Sequence, residues 1–240
     1  GSVGILLRIL TGITLAGVYP IAVKLLSQWF PKKRGLAIGI LIAALTLGSS
    51  LPHFILLFFS SLDWKFVIIS SSLLALIAAI FIYWILEDAP ETTKSVPFSF
   101  KFITTVISNR PVMLANYGYF GHMWELYAMW TWLPAFLAAS FTMYSPDISP
   151  SFIALSSFIS IGIAGAIGCV FGGFISDKIG RSNLTIVSMF ISAICSVLIG
   201  FTFGEMIWIT IILSIIWGIF VISDSAQFSA AVSEVAEVEY

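Results

Sequence analysis

Five ionisable side chains stand inside long apolar runs of this 240-residue chain: Arg8, His53, His122, Glu125 and Asp224. A charge at the bilayer centre costs roughly 2.5–3.5 kcal/mol on insertion scales, so such groups face a cavity or a partner. His122 and Glu125 are three residues apart and share a helix face. Asn116, Tyr117, Tyr119, Trp124, Tyr127, Trp130 and Trp132 surround them in sequence. Desolvation favours a neutral acid, and a nearby Arg favours the carboxylate. Glu125 or Asp224, alternately paired with Arg8, could therefore load and release a proton, with His122 as a relay. A purely structural ion pair with Arg8 is the other reading of the two acids. Likewise His53, beside Pro52, is either a packing histidine or a site residue. Gln227, one turn after Asp224, and Asn116 add neutral polar groups able to hold a solute. Trp130 and Trp132 near one helix end, and Tyr117 and Tyr119 near the other, also fit an interface belt.

The elements that must position these groups are membrane-spanning helices. Hydrophobic residues make up 59% of the chain and charged ones 10%, with a mean hydropathy of +1.06. A soluble domain carries roughly 25% charged residues, so too few are present to cover a soluble surface. The net charge of −1 offers no basic footprint for nucleic acid. Cys169 and Cys195 lie in apolar runs without a paired spacing and read as packing residues. A bilayer crossing needs about 20 apolar helical residues. Seven stretches qualify: 3–29, 35–60, 65–86, 112–140, 151–176, 184–203 and 206–233. None alternates as the strands of an outer-membrane barrel do.

Pro, Gly and charge mark the breaks: 30–35, Ser61-Leu62-Asp63-Trp64, the long segment 87–111, Tyr144-Ser145-Pro146-Asp147, 177–181 and Gly204-Glu205. Alternate loops differ in basic charge. Lys32, Lys33, Arg34, Lys94, Lys101, Arg110, Lys178 and Arg181 fall on one side, against Lys65 on the other. Basic residues favour the cytoplasm, which orients the bundle. Lys24, within two turns of that face, snorkels. In 87–111, Phe98, Phe102, Val106 and Ile107 share one helical face, so this segment is either a short interfacial helix or a plain linker. Residues 12–30 and 218–236 echo one another weakly, Gly12 aligning with Gly218 and Ser27 with Ser233.

The most specific string is Gly172–Ser182, GGFISDKIGRS. Gly173, Asp177, Lys178, Gly180 and Arg181 match Gly-x-x-x-Asp-(Arg/Lys)-x-Gly-Arg, and the chain resembles the major facilitator superfamily, of which this is the signature loop. Gly173 permits close helix approach, Gly180 a tight turn, and Asp177 can accept from N–H groups at a neighbouring helix start. WFPKKRGLAIGI at 29–40 resembles the loop between the fourth and fifth helices of that superfamily, and Arg8-x-x-x-Gly12 its fourth-helix Arg motif. Gly39 and Gly48 keep the first interval of the antiporter motif, but Leu51-Pro52-His53 replaces its Gly-Pro and no Gly-Gly follows. The Gly-rich stretch of nitrate porters is missing as well. Gly165, Gly168, Gly172 and Gly173 read as packing positions.

The resemblance implies an all-α polytopic membrane protein, a partial bundle of seven transmembrane helices similar to helices four to ten of twelve. It divides the chain into 1–86, three helices of the first half; 87–111, a central cytoplasmic loop; and 112–240, four helices of the second half. The lack of an initiating Met fits that reading of a fragment. Expected from it is a secondary transporter of a small organic solute in the plasma (inner) membrane, driven by protons through alternating access, with no cofactor, no metal and no nucleic-acid partner. The rival class is an intramembrane enzyme or a non-transporting membrane protein. His122-x-x-Glu125 resembles part of a metal site, yet the chain holds two histidines only and neither HExxH nor Gly-x-Ser-x-Gly.

Overall fold

The computed structural model describes residues 2–58, 64–87 and 100–235. Helices α1 (Ser2–Trp29), α2 (Arg34–Phe58), α3 (Trp64–Ile85), α4 (Phe100–Ser108) and α5 (Arg110–Tyr144) come first. Then α6 (Pro150–Phe158) runs through a π turn (Ile159–Ile163) into α7 (Ala164–Ile179). The chain ends in α8 (Arg181–Leu198) with a 3-10 turn (Ile199–Thr202), α9 (Ile207–Ser223) and α10 (Ser225–Val235).

Among the described residues, six helices are long and apolar enough to cross a membrane: Ser2–Trp29, Arg34–Leu57, Lys65–Ile85, Pro150–Ile179, Arg181–Thr202 and Ile207–Val232. The seventh expected span falls in α5, which has the length, 35 residues, but a more polar composition. Three of its polar residues turn at least partly inward: His122 is buried, and Asn116 and Glu125 are half-buried. The stretch 206–233, expected as one crossing, is one apolar span, Ile207–Val232, and the helix within it breaks at Asp224. Asp competes with the backbone for hydrogen bonds, and here its carbonyl starts the next helix by accepting from Gln227 N at 2.9 Å. Ser61, Leu62 and Asp63, and Lys94 and Phe98 of the long loop, lie outside the described residues. Of the two readings of that loop, its end does form a short helix, α4.

Helix ends follow local chemistry. The Asn109 side chain accepts from Val112 N, with Pro111 in the first turn of α5. Ser149 accepts from Phe152 N, with Pro150 opening α6. Gly180, at φ 88°, is the single residue between α7 and α8, a backbone region that disfavours any Cβ.

The core is a slab with α7 wedged between α2 and α9. Against α2 it runs antiparallel: a Cβ on Gly39 would lie 2.5 Å from the Cys169 carbonyl oxygen, and one on Gly173 2.6 Å from that of Gly35. Against α9 it runs parallel: Cβ atoms on Gly168 and Gly172 would meet the Ile219 and Ser223 carbonyls, and one on Gly218 would collide with the carbonyl of Ser160 in the π turn before α7. In lipid, association rests on such close packing, because apolar burial gives no extra drive. By contrast α3 is exposed over almost all of its described length, and α1 is exposed from Ser2 to Val18.

Candidate functional site

Buried Ser223, Asp224, Ser225 and Gln227 cluster at the break between α9 and α10, where His122 of α5 meets them. Asp224 Oδ1 lies 3.0 Å from His122 Nδ1 of α5, and each side chain is 1% exposed. The approach is close but not aligned as a hydrogen bond, since both Asp224 oxygens lack a directional donor. Protonated on both nitrogens, His122 gives a neutral pair with the carboxylate. Neutral His122 leaves a bare buried negative charge, which is costly in a low-dielectric site.

Aromatic rings enclose it. Tyr119 stacks on His122 at 6.0 Å and 12° between planes, and Phe228 sits 5.6 Å from each of those rings. One turn beyond Asp224, buried Gln227 accepts from Arg181 Nη1 at 3.0 Å. Arg181 Nη2 also lies 3.7 Å from Asp177 Oδ1. Asp177 in turn abuts Gly35 in the first turn of α2, where a helix start favours a carboxylate. Lys178 lies over the Phe174 ring at 4.1 Å. Polar contacts therefore run from the 177–181 loop to Gln227, one helical turn from the His122–Asp224 pair.

Glu125 is placed differently. Its Oε1 accepts from Ser192 of α8 and, at 3.3 Å, from Trp217 Nε1 of α9, so it ties α5 to both. Arg8 is exposed on α1 and is not brought to either acid; His122 takes the place expected of it at Asp224. His53 is half-buried near the end of α2 opposite Gly35, and Asn116 is half-buried low on α5. The structure thus unites His122, Asp224, Gln227, Arg181 and Asp177, and leaves Arg8, His53 and Glu125 elsewhere.

A cavity of about 570 Å³ adjoins the pair. It opens between α1 and α2 on one side and α5 and α9 on the other, and Ser225, the residue after Asp224, is part of its wall. Tyr19, Tyr119, Tyr127 and Trp130 are the aromatic residues of that wall. A wider depression of about 780 Å³ lies among Tyr144, Asp147, Glu205 and Trp208 at helix ends, apart from the His122–Asp224 pair. Tyr19 was missed in the sequence; its signal was a lone phenol beside Pro20 in an otherwise apolar stretch. Ser192, Ser223 and Ser188 were missed as well, since serine in membrane helices usually bonds its own backbone.

The sialic acid transporter NanX of Escherichia coli (strain K12) is 24% identical over 199 residues, which are 78% of this chain and 45% of that protein. The chain thus spans less than half the length of that relative. No solved structure matches. The model of the Major Facilitator Superfamily matches residues 2–239, and this multi-pass membrane chain belongs to that superfamily.

Proposed function

We propose that the protein is a secondary transporter of a small organic solute, coupled to protons and working by alternating access. The observation that carries this reading is the His122–Asp224 pair, 1% exposed on both sides and set at a helix break against the cavity. A group that holds one proton beside a solute cavity links the two occupancies if the cavity opens to each side in turn. On the acidic side the pair fills; once hydrated from the other side it releases the proton. The domain reading follows: 1–86 and 112–240 contribute to two half-bundles around the cavity, and 87–111 links them on the cytoplasmic side of a plasma membrane.

The solute we infer is charged or zwitterionic with an apolar or ring-shaped body, given the aromatic wall. An acidic sugar is the first to test, because the relative named above is a sialic acid transporter. The direct test is thermal stabilisation of the complete purified protein by a panel of organic acids, amino acids and sugars. Uptake of any hit into proteoliposomes with and without a pH gradient follows. A stabilising solute whose uptake ignores the gradient would remove proton coupling; a protein that moves none of the panel would remove the transport reading.

A further inference from the structure

One polar contact bridges the cavity without taking part in the proton pair. The Tyr19 hydroxyl of α1 lies 2.9 Å from the Ser229 hydroxyl of α10. The Tyr119 hydroxyl of α5 interacts with those of Tyr19, Ser225 and Ser229. Elsewhere α1 leans on α2 and meets α10 over a short stretch only.

The position of this cluster is informative. Tyr19, Tyr119 and Ser225 all line the cavity, and Ser229 lies one turn further along α10 toward the end that carries Gln227 and Arg181. The hydroxyls therefore form the floor of the cavity on its cytoplasmic side. Phe228 closes the space below, and Gly118 makes room for it: a Cβ there would lie 2.7 Å from Phe228 Cε1. Hydrogen bonds between neutral hydroxyls contribute little net free energy each, so such a floor can open and reclose.

We propose that Tyr19, Tyr119 and Ser229 are the inner gate of the cavity, and that Tyr119 reports the state of the proton pair to it. This rests on the transport reading above. Tyr119 serves both roles because its hydroxyl joins the gate while its ring stacks on His122. A protonated imidazole gains attraction to the ring face that a neutral one lacks. The groups facing His122 are Asp224 at the α9–α10 break and Tyr119 on α5. Glu125 is turned toward α8 and α9, Cys169 of α7 lies near Asp224, and Arg181 reaches this region through Gln227. Loading the proton tightens the floor, and losing it loosens the floor.

The test places a cysteine at Leu15→Cys, on the cavity wall, in the complete protein. Native Cys169 and Cys195 are 0% and 4% exposed and give low background. Labelling from the cytoplasmic face with an impermeant maleimide, in inside-out vesicles, reads the gate. Tyr19→Phe and Ser229→Ala should each raise labelling about 2- to 10-fold, the worth of one neutral hydrogen bond. Tyr119→Phe should raise it and keep its pH dependence; Tyr119→Leu should abolish that dependence. Unchanged labelling in inserted Tyr19→Phe and Ser229→Ala overturns the gate. Equal pH dependence in the two Tyr119 variants overturns the reporting role. Labelling needs no solute, so these results are separable from a failure of the transport reading itself.

Discussion

Asp224 approaches His122 to 3.0 Å at the point where α9 gives way to α10, with both side chains 1% exposed. A bilayer-embedded helix loses backbone order only where the freed groups find partners or line a cavity. Here the break does both: its carbonyl starts α10 and its next residue lines the cavity.

Single neutralisations of this pair should harm stability more than their combination. Removing one partner of a buried ion pair strands the other, at a cost of about 3–5 kcal/mol. Thermal unfolding of the purified full-length protein should therefore rank His122→Gln and Asp224→Asn below the double variant. Losses that simply add would mean that the two groups do not act as a pair.

Glu125 should behave as an anchor. Its Oε1 accepts from Ser192 and Trp217, and Glu125→Gln keeps an acceptor oxygen there. That variant should retain gradient-driven accumulation, while Glu125→Leu, which strands both donors, should lose roughly 1–3 kcal/mol of stability. Loss of accumulation in a stable Glu125→Gln would instead make Glu125 a proton carrier.

These two acids show how far the sequence could be read. Their depth in apolar runs marked both as special, because composition and period are local properties. Their partners are not local: His122 meets a residue on a distant helix, and Glu125 meets a serine whose type carries no signal. Arg8 drew attention by its charge, yet α1 carries it outside reach of either acid. The turn of the 177–181 loop was legible, since only Gly180 suits its φ of 88°. The break at Asp224 was hidden in an apolar run, whereas the inward turn of His122 and Glu125 on α5 was legible from their depth.

Close packing of α7 and α9 predicts a sharp contrast between two glycines. Gly218→Val would push a side chain into the Ser160 carbonyl, whereas Gly121 faces open space. Overpacking of this kind costs typically about 1–3 kcal/mol, and more against backbone. Gly218→Val should lower the yield of folded protein in detergent, and Gly121→Ala should match the parent. Equal yields would contradict the contact.

Asp177→Ala should slow transport while leaving membrane insertion near that of the parent. The carboxylate abuts the first turn of α2 and pairs with Arg181, so its loss shifts the balance between inward- and outward-open states. Initial uptake rates normalised to surface protein check this. Unchanged rates would leave the loop with a role in orientation only.

Asp224→Asn tests the account at its centre. The complete protein and this variant are reconstituted in proteoliposomes, and two quantities are read with the solute that stabilises the parent. One is accumulation driven by an imposed pH gradient; the other is exchange of labelled for unlabelled solute without any gradient. The account predicts that Asp224→Asn loses accumulation and keeps exchange, because the cavity survives and the titrating pair does not. Gradient-driven accumulation in Asp224→Asn with the parent's pH profile would contradict it.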